Sequence, residues 1–175
     1  MGRARGIATL AAVTLAMALL ACFAIWTASA HASTLPRCRT GQLAVSATRS
    51  GAAAGTVYYR LRLANTSSAS CTLAGYPGVS FVSRPGGHQV GRAATRSAGW
   101  PARTVTLAPG GSVVARLGLA EVGNWPPAVC EPVDVRWVKV YPPNAWDAVT
   151  IPFRGRACST KARDLSVTPV EAPNA

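Results

Sequence analysis

The run Thr56-Val57-Tyr58-Tyr59-Arg60-Leu61-Arg62-Leu63 alternates so regularly that an extended strand is the only regular conformation that suits it. Successive side chains of a strand point to opposite faces. Val57, Tyr59, Leu61 and Leu63 therefore share one face, and Tyr58, Arg60 and Arg62 the other. One face is apolar enough to bury and the other polar enough to stay wet. The same period recurs in Val113, Ala115, Leu117 and Leu119 against Arg116 and Gly118, and in Val149, Ile151 and Phe153 against Thr150 and Pro152. Shorter candidates are Leu43 to Ala47, Val79 to Val82, Val105 to Leu107, Val133 to Tyr141 and Leu165 to Val167. Turn and breaker residues separate these runs at Ser50-Gly51 to Gly55, Arg84-Pro85-Gly86-Gly87, Ala108-Pro109-Gly110-Gly111, Trp125-Pro126-Pro127 and Tyr141-Pro142-Pro143-Asn144. No long amphipathic helix, repeat or low-complexity array interrupts them. About seven to nine short strands at this spacing predict an all-β chain, an antiparallel β-sandwich, immunoglobulin-like in architecture. The cysteine-tryptophan-cysteine spacing of a true antibody domain is not clearly present.

The first 30 residues have a different composition. Arg3 and Arg5 precede an uncharged apolar stretch from Ile7 to Trp26, which ends at Ala28-Ser29-Ala30. A positive start, an apolar middle and a small-x-small exit describe a secretory signal peptide. Ala30-His31-Ala32 offers a second cleavage position, and the separated arginines favour the general secretion route over the twin-arginine one. Two readings compete with cleavage. Leu19-Leu20-Ala21-Cys22 resembles a lipobox with Cys22 as the lipidated residue, although the apolar run continues through Phe23, Ile25 and Trp26. An uncleaved anchor is the other, because a spanning helix needs roughly 20 apolar residues. Cleavage predicts a secreted or cell-envelope protein with no membrane span in its mature form, and lipidation predicts one anchored at Cys22.

Beyond the leader stand Cys38, Cys71, Cys130 and Cys158, an even number at wide spacings. No Cys-x-x-Cys pair supports a zinc ribbon or a thioredoxin-type site, so disulfides are expected. Four cysteines allow three pairings. Cys38 with Cys71 and Cys130 with Cys158 is favoured, because each bridge then closes one local stretch. The remaining chain, about 145 residues, is enough for one core and too short for two ordinary ones. The expected organisation is a short segment over 31–37, one sandwich domain over 38–170 and a frayed tail over 171–175. The whole chain carries a formal charge of +12, and without Arg3 and Arg5 there remain sixteen basic residues, mostly arginine, against six acids. A surface of that sign attracts polyanions. Scattered arginines with no reader motif argue against nucleic acid.

Groups able to do chemistry are few. His88 follows Pro85-Gly86-Gly87 on an expected hairpin tip, and no G-x-S-x-G elbow presents a serine to it. Gly110-Gly111-Ser112 reads as a turn entering a strand. The acids Glu121, Glu131, Asp134, Asp147, Asp164 and Glu171 are scattered, whereas a glycosidase needs two that converge on one bond. One histidine, bridged cysteines and no acidic loop leave no ligand set for a metal. No enzyme, cofactor or metal is therefore expected. The tryptophans divide into two groups. Trp100, Trp125 and Trp146 fall in Pro-, Gly- or Asn-containing segments, where they either cap the sandwich or form a binding surface. Trp137 shares a period with Val133 and Val135 and is expected in the core.

Several motifs together carry a resemblance. They are Asn65-Thr66-Ser67, Cys71-Thr72-Leu73-Ala74-Gly75-Tyr76-Pro77-Gly78-Val79, Leu107-Ala108-Pro109-Gly110-Gly111-Ser112, Val140-Tyr141-Pro142-Pro143 and Cys158. The chain from Cys38 to about Val170 resembles the secreted family numbered forty-two thirty-two in the domain-of-unknown-function series. That family occurs mainly in high-GC Gram-positive bacteria, often behind a signal peptide or lipobox, and has no assigned activity. Its members commonly carry alanine after the Pro-Gly-x-Ser turn, where this chain has Val113-Val114. The motifs also have a physical reading of their own. In Gly75-Tyr76-Pro77-Gly78 the glycines and proline make a sharp corner that aims Val79 and Phe81 inward, and Tyr76 is placed to anchor it by hydrogen bonding to backbone.

The functional expectation is a non-catalytic secreted or envelope protein that binds an anionic envelope polymer or a protein partner. Arginines would supply attraction, and the loop tryptophans contact area. A secreted hydrolase built from Asp134, Asp147, His88 or Ser112 converging only in the fold is one alternative. A secreted enzyme inhibitor presenting a disulfide-braced loop is the other.

Overall fold

The computed structural model describes residues 34–173. The leader, its cleavage positions and Cys22 lie outside the described residues, as do residues 174–175. From Leu35 onward the described residues form one compact unit. Its elements in chain order are β1 (Leu43–Ala53), β2 (Thr56–Asn65), β3 (Cys71–Ala74), β4 (Gly78–Val82), β5 (Gln89–Val90), β6 (Thr95–Arg96), β7 (Thr104–Leu107), β8 (Ser112–Ala120), β9 (Pro132–Tyr141), β10 (Val149–Cys158) and β11 (Leu165–Val167). A single turn of helix, α1 (Pro127–Cys130), and two 3-10 turns, Thr40–Gln42 and Val122–Asn124, complete the described residues. None of these helices is long and apolar enough to cross a membrane.

The strands form a five-stranded sheet ordered β1-β2-β8-β11-β6, a four-stranded sheet ordered β10-β9-β4-β5, and the small ribbon β3-β7. All pairs are antiparallel except β6 with β11, which is parallel. Leu61 and Leu63 of β2, Val113, Ala115, Leu117 and Leu119 of β8, and Leu165 and Val167 of β11 meet Val79 and Phe81 of β4, Val138 and Val140 of β9, and Ile151 and Phe153 of β10 in one continuous core. Two sheets therefore face each other as a sandwich, and the alternation read in β2 and β8 is the alternation between core and solvent. Aromatic contacts lock the layers together. Phe153 lies with its ring centroid 4.6 Å from that of Tyr59 and 5.2 Å from that of Phe81.

Cys38 is bonded to Cys71 and Cys130 to Cys158. The first bridge fastens the segment before β1 to β3, and the second fastens α1 to the end of β10. Each loop holds roughly 30 residues, worth about 3–4 kcal/mol by constraint of the unfolded chain.

Several expectations change. β3, β5 and β6 are not among the strands expected from sequence: β5 and β6 have two residues each, too few to show a period, and β3 lies at the start of the Cys71 to Val79 corner motif. The turn read over Ser50-Gly51 to Gly55 lies at the end of that stretch, and Ser50-Gly51 itself stays extended. β1 continues through it with a register shift between Arg49 and Gly51, and the reversal comes at Ala54-Gly55, both with positive φ, 48° and 70°. Trp125-Pro126-Pro127 does not simply break the chain, since Pro127 starts α1, where its missing N–H costs nothing. Trp137 is not a core residue. The β9-β10 register slips by one between Pro152 and Gly155, so Val138 and Val140 are buried on one side of the slip and Val135 on the other. The phase of β9 flips, and Trp137 is left half-buried on the outer face beside its cross-strand neighbour Val82. Glu171, placed in a frayed tail by sequence, is docked: its N–H donates to the Val114 carbonyl at 2.8 Å, and Val114 N–H donates back at 2.9 Å.

Candidate functional site

The three loop tryptophans do not form one surface. Trp146 is 95% exposed on the β9-β10 connection. Thr40 Oγ1 donates to the carbonyl of the next residue, Asp147, at 3.0 Å, which ties that connection to the chain entering β1. Leu43 pairs with Asn65 and Ser112 with Ala64, so Trp146 sits at the end of the sandwich where β8 starts. Trp125, half-buried, follows the 3-10 turn beyond the other end of β8. Nine strand residues separate these ends, roughly 27 Å at about 3.4 Å per residue. Trp100 lies between them, on the outer face of the five-stranded sheet.

That face has the composition of a site. Arg60 and Arg62 project from β2 beside Tyr58, and the register sets Arg60 directly opposite Arg116 of β8. Like charges facing each other across a ladder are unfavourable by themselves. Arg116 is held by aromatic rings instead of a carboxylate, its guanidinium carbon 5.2 Å from the Tyr58 ring centre and 4.9 Å from that of Trp100. Each such contact at an exposed site is worth about 0.5–1 kcal/mol. Arg62 Nε donates to Ser112 Oγ at 3.1 Å, which aims that guanidinium along the sheet. None of the three arginines forms an ion pair among the described residues, where the one ion pair joins Arg156 to Asp134 at 3.7 Å.

The corner motif positions Trp100. The Tyr76 hydroxyl lies 3.1 Å from the Ser97 carbonyl and 3.0 Å from the Trp100 carbonyl, so it fastens the segment that lays the indole over Arg116. Gly75 adopts φ 104°, which an L side chain resists, and its carbonyl accepts the Val170 N–H at 2.9 Å. Pro77 is buried, Gly78 is exposed, and Val79 and Phe81 enter the core. Arg96 adds a further contact, 5.3 Å from the Tyr76 ring centre.

The residues considered for hydrolysis are dispersed. His88 is exposed in the β4-β5 hairpin with Nδ1 3.3 Å from Ser83 Oγ. Ser112 Oγ is engaged by Arg62 on the other sheet. Asp134 is exposed beside Arg156, near the start of β9, while Asp147 lies in the loop beyond its far end. Among the described residues, no three groups of metal-binding type gather. The one buried acid is Asp164, 3% exposed, whose Oδ2 accepts the Cys158 N–H at 2.7 Å. Desolvation raises its pKa above the usual carboxylate value, and hydrogen bonds from the Cys158 and Asp164 N–H groups oppose that rise. It braces the chain beside the second disulfide.

Sequence alone left the arginine face unassembled. Alternation placed Arg60, Arg62 and Tyr58 together on one strand, but Arg116 joins them only through the β2-β8 register, and Trp100 only through a loop without period. No curated protein and no solved structure is detectably similar to the chain. The profile of the domain-of-unknown-function family DUF4232 matches residues 38–171, a span that holds both disulfides, the Gly75-Tyr76-Pro77-Gly78 corner and the arginine face, and the chain belongs to that family.

Proposed function

We propose that this protein is a non-catalytic, extracytoplasmic binding module that holds an anionic polymer of the cell envelope on the outer face of its five-stranded sheet. The observation that carries the reading is the convergence of Arg60, Arg62 and Arg116 on one face, with Arg116 packed between Tyr58 and Trp100 and no ion pair to any of the three among the described residues. A cross-strand arginine pair costs stability, and bound anions offset that cost while the aromatic rings hold the guanidinium in place. Arginine suits the task because its planar fork matches phosphate and carboxylate oxygens. Two disulfides fit an oxidising compartment outside the cytoplasm, and the signal-peptide reading of the leader points the same way.

Retention on isolated envelope material tests the proposal. The protein is expected to be retained at low ionic strength, and the triple variant Arg60→Ala, Arg62→Ala, Arg116→Ala to be released from that material at a lower ionic strength than the parent, with stability lowered by no more than about 1–2 kcal/mol, the worth of the two lost Arg116 contacts. Undiminished retention of the triple variant would overturn the assignment of the face.

A further inference from the structure

A second cluster of arginines lies on the other side of the sandwich. The one-residue slip in the β9-β10 register leaves Phe153 and Arg154 together opposite Arg136. Bulges of this kind re-aim side chains. Phe153 goes to the core and Arg154 to solvent, beside Arg136 and Arg156. These three arginines, with Asp134, line an open cleft of about 380 Å³. Asp134 is the only acid there and pairs with Arg156 at 3.7 Å, with both side chains well exposed, so the cluster keeps a net positive charge. Arg136 and Arg154 form no ion pair among the described residues.

The two clusters belong to different sheets. Arg60, Arg62 and Arg116 project from β2 and β8, and Arg136, Arg154 and Arg156 from β9 and β10, with the core between them. Sheets stacked about 10 Å apart, each with outward side chains, put the two sets of guanidinium groups too far apart and too oppositely directed for one straight polymer segment to touch both. Within each cluster the spacing is set by the strand. Arg60 and Arg62, like Arg154 and Arg156, are two residues apart and so about 6.8 Å apart along one face, a pitch comparable to that of phosphates joined through a three-carbon polyol.

We propose that the protein is a two-sided cross-linker in which each arginine cluster engages its own strand of a phosphate-bearing polymer, so that one molecule holds two strands together. This rests on the reading of the protein as a polyanion-binding module and adds a second site and a consequence to it. Binding needs one face, whereas cross-linking needs both.

Beads coated with poly(glycerol phosphate) separate the two. The protein is expected to bind them and to cluster them, with clustering rising and then falling as protein is added, because in excess each strand is covered by its own molecules. Arg60→Ala with Arg62→Ala, and separately Arg136→Ala with Arg154→Ala, are exposed substitutions expected to leave the melting temperature unchanged. Each pair is expected to bind the beads through the remaining cluster, more weakly than the parent, and to lose clustering. Clustering that persists in either variant, as self-association through one face would give, overturns the proposal. Binding by the parent without clustering overturns the cross-linker but leaves the binding module standing. A parent protein that does not bind the beads at all overturns the phosphate-polymer cross-linker, and if it also fails to bind envelope material the binding module falls with it.

Discussion

Asn65 is 1% exposed at the end of β2, where every polar atom of its side chain is used. Its Nδ2 group donates to the carbonyls of Ala69 at 2.8 Å, Leu107 at 3.2 Å and Ala108 at 3.3 Å, and its Oδ1 accepts from Ser67 N–H and Oγ. Its backbone also closes on the Pro109-Gly110 turn, through Gly110 N–H to the Asn65 carbonyl at 2.9 Å. Asn65→Asp replaces the donor with a buried acceptor facing three carbonyls, and a loss of about 3 kcal/mol or more is expected in urea unfolding near neutral pH. Asp164 behaves in the opposite sense. Its pKa is higher in the folded chain than in the unfolded one, so ionisation costs the fold. That cost is absent below the ordinary carboxylate value and accrues as pH rises through the elevated value. Asp164→Asn keeps an acceptor for the Cys158 N–H without the charge. Its stability relative to the parent is expected to increase as pH is raised from about 3.5 to 7. A difference that stays flat or shrinks would contradict the burial argument.

At the level of elements, the β1-β2 hairpin shows where local sequence and local geometry disagree. Ala53 pairs with Thr56, leaving Ala54 and Gly55 as a two-residue turn with φ positive at both. Such turns favour Asn or Gly at the first position, and alanine there is strained. Ala54→Gly is expected to raise stability by about 0.5–1 kcal/mol, measured by denaturant midpoint. The stretch Ser50-Gly51 to Gly55 brackets the turn without pinning it: Ser50-Gly51 carries the stronger turn signature, yet pairing across a bulge keeps it extended and leaves the reversal to Ala54-Gly55. The same kind of event hid the place of Trp137, whose period with Val133 and Val135 is intact in sequence and broken in space by the slip opposite Arg154. β2 and β8 were legible because each carries a whole run of alternation between core and solvent. β5 and β6 have two residues apiece, and only the neighbours they pair with make them strands. The pairing of the cysteines followed from locality, and the corner at Gly75 to Gly78 from its glycines and proline.

The whole molecule combines a strongly basic surface with a core closed by two local disulfides. Its candidate site was only partly legible, because a binding face is made by register between strands far apart in sequence. Arg60 and Arg116 meet across β2 and β8, and Tyr76 reaches the loop that carries Trp100. The three loop tryptophans looked equivalent in sequence, but the fold keeps only Trp100 beside the arginines. The salt dependence of binding tests the central claim most directly. Affinity for envelope polymer is to be measured for the parent and for the Arg60, Arg62 and Arg116 triple alanine variant, from about 0.01 M to 0.15 M ionic strength, over which the screening length falls from about 30 Å to about 8 Å. The expected result is a steep loss of parental affinity with salt and a clearly shallower dependence in the variant. Equal slopes for the two proteins, or parental binding indifferent to salt, would contradict the account.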